Sequence, residues 1–386
     1  MRGRTSLAEF AGYMGNAKAD SDVMGRAFLG VVYHVSGTKG RPMPQRSPGR
    51  IAIILVNYKG AADTIECLES IRALEAPLSG FVAIVVENGS PDDSLKRLRE
   101  WLKKGRPLST DLQDEAAAEF EGLHGPFRVI LVSTPRNCGF AAGCNLGLTH
   151  AYRDASITHF WLLNNDTTVE PRSALELLKS SLANSDRSIS GSTLLYYDNP
   201  EIVQAAAGAR YLRSIGRSYH FYKMKKASEI ADAPTPRFDY IIGASMFFSR
   251  SVLDTIGYLP ERYFLYAEET DWCTRARTLG ITLDWARNSY VFHKEGRSTG
   301  AGQRFKKLSD DAFYYIARNN LLYIWDNARA FTAPVTAYTI LLAIYYALKG
   351  DFAKLRVAPR ALRDFWRLRK DKHLGPVGPA SIASDG

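Results

Sequence analysis

The chain has 386 residues, 46% of them hydrophobic and 23% charged, an ordinary globular balance with enough apolar side chains for a sizeable core in one large or two smaller domains. A formal net charge of +10 favours anionic partners, either phosphate-bearing substrates or an anionic membrane face. Nucleic acid is excluded as a partner, because no helix-turn-helix, zinc-finger or RNP pattern is present, and the four scattered cysteines (Cys67, Cys138, Cys144, Cys273) imply neither disulfides nor a zinc site and suit a reducing compartment.

Residues 1–48 are rich in Gly, Ser, Lys and Arg and end in Pro42, Pro44 and Pro48. They are expected to form a poorly ordered extension with a short helix near 24–35, and they lack the apolar core of a signal peptide. Residues 51–57 (IAIILVN) predict a buried strand, 64–74 a helix capped by Asp63, 81–86 a second strand and 92–103 a helix. The polar, acidic stretch 105–126 breaks this rhythm and is expected to be an inserted loop with a short helix around 114–120. A third strand is expected at 129–132, a helix including 145–152, a fourth strand at 160–163 and a helix over 167–178. This alternation predicts an α/β fold with a mainly parallel, doubly wound sheet whose strand ends share one edge. The second half reads as mixed strands (189–209 and 238–248), a short helix at 252–256 and a helix at 270–279 ended by Gly280. Edge strands at 282–286 and 290–293 and an amphipathic helix at 310–326 follow.

Polar residues terminate four of these segments at the shared edge: Asn57-Tyr58, Glu87-Asn88, the 137–145 loop, and Asn164-Asn165-Asp166. Ligands of open α/β sheets gather at such an edge. Asp166 can hold a divalent cation against substrate phosphates, or it can cap the following helix. Glu87 can accept hydrogen bonds from a ribose or a base, or serve as a charged turn residue. The small residues from Asn137 through Gly139 and Phe140 to Asn145 can bring backbone amides to a phosphate or let a helix pack tightly. They match neither a P-loop nor a dinucleotide fingerprint, which excludes a Rossmann oxidoreductase. Glu268, Glu269 and Asp271 crowd one helical turn. Crowded carboxylates raise one another's pKa and can act as a general base, while Asp271 is also spaced for an ion pair with Arg275. His293 ends a strand and can complete a metal site beside Asp166 or donate to a leaving group.

The series VNY (56–58), VVENGSPDDS (85–94), NCGFAAGCNLGL (137–148), LLNNDT (162–167), GASMFFSR (243–250), FLYAEETDWCTRAR (264–277) and VFHKEGRS (291–298) resembles glycosyltransferase family 2, most closely its bacterial rhamnosyltransferase-type members. The resemblance implies a GT-A fold over 49–300, a Rossmann-like nucleotide half joined to an acceptor half. It implies that Asn57, Glu87 and Asn88, with the adjoining Tyr58, line the nucleoside pocket, and that Asn137, Gly139, Phe140 and Asn145 border the donor. Asn164-Asn165-Asp166 stands where the family has D-x-D, so Asp166 would hold Mn2+ or Mg2+ almost alone, with His293 matching a late family histidine. Glu269 stands at the family's catalytic base, with Glu268 and Asp271 as alternatives. Arg318-Asn319 matches a late family pair.

The implied activity is inverting, metal-dependent transfer of a sugar, L-rhamnose from dTDP-rhamnose as the best match, to a hydroxyl of a cell-surface glycan or lipid-linked acceptor. The rival is an inactive sugar-nucleotide-binding scaffold of a polysaccharide assembly complex. Residues 301–386 are expected to be helical. The uncharged stretch 330–348, followed by a helix carrying Arg356, Arg360, Arg363 and Arg367, suits peripheral attachment to an anionic inner membrane face, with a soluble hairpin as the alternative. A cytoplasmic enzyme on the inner face of the cell membrane is therefore expected.

Overall fold

The computed structural model describes residues 49–75, 80–108, 115–123, 125–294 and 308–370. The expected N-terminal extension and its short helix lie outside them. Strand β1 (Arg50–Asn57) leads to α1 (Ala61–Ile71), β2 (Phe81–Glu87) and α2 (Ser94–Leu102). Then come β3 (Arg106–Leu108), β4 (Glu115–Gly122), β5 (Gly125–Ser133), α3 (Phe140–Tyr152), β6 (Ile157–Leu163), β7 (Thr167–Val169) and α4 (Ser173–Ala183). The second half holds β8 (Ser188–Tyr196), β9 (Asn199–Ala206), β10 (Gly208–Leu212), β11 (Arg217–His220), β12 (Tyr240–Ile241), β13 (Ser245–Ser249), α5 (Arg250–Ile256), α6 (Glu268–Thr278) and β14 (Thr282–His293). Three helices close the described chain: α7 (Asp310–Asn327), α8 (Thr332–Leu348) and α9 (Ala353–Leu368).

β1 is apolar along almost its whole length because helices cover both faces of the sheet. Its alternate residues serve different sides. Ala52 and Ile54 pack with Ala141, Cys144 and Leu148 of α3. Ile51, Ile53 and Leu55 pack with Leu68 of α1, Leu98 of α2 and Leu177 of α4. The sheet runs β3-β4-β5-β2-β1-β6-β13-β8-β14-β7, with β9 alongside β8, and a small second sheet is ordered β11-β10-β12. β5, β2, β1 and β6 are mutually parallel. β13 lies antiparallel between β6 and β8, and β14 is parallel to β8, so β14 runs in the direction of β6. The carboxyl ends of β2, β1, β6 and β14 therefore share one edge.

Four local expectations are corrected. The 105–126 stretch is not a loop with a helix: β3 and β4 extend the sheet through antiparallel pairing with β5. Ala and Glu favour helix, but Ala117, Ala118 and Phe120 are buried in the strand, and Phe120 stacks on Trp101 of α2 at 4.3 Å. Asp63 does not cap α1, which starts after Gly60, and it instead binds Lys294. Residues 167–169 are strand rather than helix, so no helix starts after Asp166, which leads into β7. The expected edge strands at 282–286 and 290–293 are one strand, β14, lying between β8 and β7 with a register irregularity between Ala286 and Tyr290.

Candidate active site

At the shared edge Asn57 and Glu87 are register partners. Both are buried, at 0% and 2% exposure, although neither has an apolar reason to be there. Asn57 Nδ2 lies 3.5 Å from Glu87 Oε1, and its Oδ1 accepts from Thr64 Oγ1 at 2.9 Å. Thr64 Oγ1 in turn accepts from Asn165 Nδ2 at 2.9 Å, which ties β1 and α1 to the turn carrying Asp166. Ser90 N donates to Glu87 Oε1 at 2.9 Å and fixes that carboxylate at the strand end. Tyr58 is half-buried beside them, with Lys59 Nζ 5.2 Å from its ring centre.

Asn88 and Asn145 act through the backbone they hold. Asn88 Nδ2 donates to Asn137 Oδ1 at 3.2 Å and to the Gly139 carbonyl at 3.0 Å, and its Oδ1 accepts from Cys138 N at 3.1 Å. Asn145 Nδ2 donates to the Leu259 carbonyl at 2.9 Å and to Glu261 Oε1 at 2.8 Å, and Leu259 N donates back to its Oδ1 at 2.9 Å. The small residues around them serve close packing. Gly139 has φ +91°, and a Cβ there would stand 2.5 Å from the Phe264 carbonyl oxygen. Phe140 N donates to that same carbonyl at 2.7 Å, so the amide at the start of α3 is already engaged. A Cβ at Gly143 would meet Val56 Cγ1 of β1 at 2.8 Å.

Asp166 and His293 are brought together by the sheet. β7 pairs antiparallel with β14, setting Thr167 opposite His293. Asp166 Oδ1 then lies 3.3 Å from His293 Nε2, and the Lys294 amide donates to the Asp166 carbonyl at 3.0 Å. Behind the ring, His293 Nδ1 lies 2.8 Å from Gln204 Oε1 of β9. With Nδ1–H donating to Gln204, the Nε2 lone pair faces Asp166, and Asn164 Nδ2 is 3.4 Å from it. A carboxylate and an imidazole lone pair this close repel unless a proton or a cation lies between them. A carboxylate suits Mn2+ or Mg2+, a neutral imidazole can add a nitrogen ligand to a transition-metal ion, and Mg2+ usually takes one or two carboxylates and completes its shell with substrate phosphates. The pair therefore fits a divalent ion that shares its coordination with a diphosphate. Among the described residues no cluster of three or more His, Cys, Asp or Glu side chains could hold a metal.

The acidic turn is built on a strained loop. Phe264, Tyr266 and Ala267 have φ of +64°, +68° and +74°, each a left-handed conformation costing about 1–3 kcal/mol for a non-glycine residue. α7 holds them there. Arg318 Nη2 donates to the Tyr263 carbonyl at 2.9 Å, and Asn319 Nδ2 reaches the carbonyls of Tyr263, Leu265 and Tyr266 at 2.5, 2.7 and 3.1 Å. Asn319 is itself oriented by Arg318 Nε, 2.8 Å from its Oδ1. α6 starts immediately after this loop with Glu268 and Glu269.

Burial pushes the Glu268 carboxyl well above the usual range, and the neighbouring Glu269 charge raises it further. Burial also raises Glu269, while a hydrogen bond from Glu268 favours its ionised form. Of the two, Glu268 is the more readily protonated, because the Glu269 charge adds to its burial. Oε2 of each is buried without a hydrogen-bond partner, so each keeps an unused acceptor. Asp271 is turned elsewhere: its Oδ1 accepts from Asn327 Nδ2 of α7 at 3.2 Å. Arg275 donates to the Tyr258 carbonyl at 2.6 Å, and its charge counters the upward push of burial on Asp271.

Gln204 was not singled out from the sequence. Its signal is a lone amide in the apolar run Ile202-Val203-Gln204-Ala205-Ala206, where a buried polar side chain needs a partner. Lys294 was also missed. It is one residue past His293, and its Nζ donates to Asp63 and Glu66 of α1 at 2.6 Å each, pinning the end of β14 against α1.

A family model described as "Glycosyl transferase family 2" matches residues 52–257, a span that ends before Glu268, Glu269 and His293. The "Low-salt glycan biosynthesis hexosyltransferase Agl10" of Haloferax volcanii is 25% identical over 245 residues, 64% of this chain and 67% of that one. Among solved structures, GalNAc-T7 with UDP, GalNAc and Mn2+ superposes with a TM-score of 0.53 at 13% identity, over 88% of this chain and 58% of that chain. The mannosyltransferase PcManGT from Pyrobaculum calidifontis, in complex with GDP-Man and Mn2+, gives a TM-score of 0.47 at 16% identity, over 90% and 81%. The α/β architecture is of the GT-A type.

Proposed function

The chain belongs to glycosyl transferase family 2, and we propose that it moves a hexose from a nucleotide-sugar donor to an acceptor hydroxyl in one inverting displacement. The observation that carries this reading is the pairing of Asp166 with His293 at the edge where Asn57 and Glu87 end their strands. The hexose follows from the similarity to a hexosyltransferase. L-rhamnose from dTDP-rhamnose is the narrower reading and rests on the motif series alone.

In this reading Asn57 and Glu87 bind the nucleoside, and Asp166 with His293 Nε2 would hold Mn2+ or Mg2+. When bound, the ion supplies Lewis-acid neutralisation of the departing diphosphate. Glu269 takes the acceptor hydroxyl proton, and the oxygen attacks the anomeric carbon from the face opposite the leaving group. No enzyme nucleophile is needed. Glu268, held high by burial and then by the Glu269 charge, stays protonated and stops a second negative charge from developing beside the base.

The test is calorimetric titration with a panel of nucleotide sugars, including dTDP-rhamnose, with and without Mn2+. One donor is expected to bind more tightly with the ion, and Asp166→Ala to abolish that tightening. An Asp166→Ala protein with unchanged Mn2+-dependent affinity would remove the metal role. Gln204→Leu frees the His293 tautomer, and Mn2+ affinity measured by paramagnetic resonance in the presence of nucleoside diphosphate is expected to fall about 10–100-fold. Unchanged affinity would mean that Gln204 does not orient the ring.

A further inference from the structure

Large hydrophobic side chains concentrate on one part of the surface. Of the fourteen that are exposed among the described residues, nine lie between Phe331 and Trp366. α8 buries Val335, Thr339, Ala343 and Ala347 at helical spacing, on the side that meets α7 and α9. Its outward stripe is Ala337, Ile340, Leu341, Ile344, Tyr345 and Leu348, without a single charge, and Leu341 and Leu348 are 63% and 82% exposed. A tight turn at Gly350 leads into α9, which buries Lys354, Ala358, Ala361 and Phe365. Its outer face alternates Phe352, Leu355 and Trp366 with Arg356, Arg360, Arg363, Arg367 and the following Lys370. Among the described residues of this face no carboxylate is exposed. Asp351 is buried beside Lys354, and half-buried Asp364 accepts from Tyr314 Oη at 2.8 Å and from Arg363 Nε at 3.1 Å.

We propose that this outer face of α8 and α9 lies on an anionic lipid bilayer, with the α8 stripe in the acyl boundary and the α9 cations at the lipid phosphates. An uncharged apolar stripe continuous with a predominantly cationic one is the composition of an in-plane membrane helix. Charge selects the occupant. A second copy seated on this face would set one cationic surface against another, whereas a bilayer of anionic lipid matches both halves of the face.

The segment Arg329–Leu348 is long and apolar enough to cross a membrane. Its packing favours lying on the surface instead. The inner stripe is committed to α7 and α9, and Arg217 Nη1 donates to Tyr338 Oη at 3.1 Å. Lys354, 1% exposed, binds Asp310 at the start of α7 and so ties α9 to the same body. α7 also carries Arg318 and Asn319, which hold the loop before Glu268. A membrane docked on this face is thereby coupled through one helix to the site of transfer, and an acceptor hydroxyl borne on a lipid is the substrate class that geometry serves. The docking claim does not rest on the donor chemistry.

The full chain is sedimented with vesicles of pure phosphatidylcholine and of equal parts phosphatidylcholine and phosphatidylglycerol. Donor binding is measured separately in vesicle-free solution. Strong binding to the anionic vesicles only, weakened by salt, is expected. Arg356→Gln with Arg367→Gln should weaken it about 25-fold, at about fivefold per cation. Leu341→Glu with Leu348→Glu should abolish it while leaving circular dichroism and donor binding unchanged, since both side chains are already exposed. A folded, donor-binding protein that ignores anionic vesicles overturns the proposal, and a concentration-dependent dimer in that case assigns the face to a second copy. Equal binding to neutral vesicles overturns the charge argument. Resistance of vesicle-bound protein to alkaline carbonate extraction overturns surface docking in favour of a spanning α8.

Discussion

Glu269→Gln is expected to slow sugar transfer about 100- to 10,000-fold while leaving donor affinity unchanged, because it removes the general base and keeps the shape of the side chain. The pH profile adds a second readout. Burial raises the Glu269 carboxyl, so the rate should climb with pH through a value above the ordinary carboxylate range, and that limb should vanish in the variant. Glu268→Gln behaves differently: its amide still donates to Glu269, so turnover should stay within a few-fold of normal. A collapse in Glu268→Gln with a mild Glu269→Gln would reverse the two roles. The same pair links pH to stability. Both carboxyls are raised in the folded protein. Their contribution is therefore complete below the unfolded carboxylate pKa of about 4.3 and is lost as pH rises through the folded values. Glu268→Gln should flatten that fall in urea denaturation series taken across pH.

Asn319→Ala is expected to cost about 2–5 kcal/mol of stability, since it leaves the Leu265 and Tyr266 carbonyls without the donor that now serves both. The Tyr263 carbonyl keeps Arg318 and suffers less. The loss falls on a segment that is already strained at Phe264, Tyr266 and Ala267, so the backbone should relax toward ordinary conformations. Relaxation moves the start of α6, and transfer should fall further than stability alone explains. Urea midpoints and turnover at a temperature where the variant stays folded separate the two effects. A variant within about 0.5 kcal/mol of the parent, as an ordinary surface substitution would be, removes Asn319 from its place as the keystone of this loop.

The resemblance marks Arg318-Asn319 without a mechanism, and their roles lie in the packing of α7 over residues 263–266. Asp166 shows the complementary case. Its place after an apolar strand was readable, but local pattern equally allowed a helix cap. Pairing of β7 with β14 removed the helix-cap alternative by making 167–169 strand, and it set His293 opposite Thr167. The 105–126 stretch failed for a related reason. Ala and Glu read locally as helix or loop, and only the edge of β5 offered β4 a partner.

The sequence by itself determined the α/β alternation, the strand ends that carry Asn57, Glu87 and Asp166, the acidic start of α6 and the basic, apolar character of the last helices. Each is written in the burial period of a short window, in the residue that ends an apolar run, or in motif order. Tertiary structure alone decided that Asp166 faces His293, that Gln204 stands behind that ring, that Glu268 and Glu269 are desolvated side by side while Asp271 turns to Asn327, and that the α8 and α9 stripes face outward together. These depend on sheet register, on helix docking and on desolvation, which join residues far apart in the chain. No local period records which distant backbone will arrive beside a given side chain.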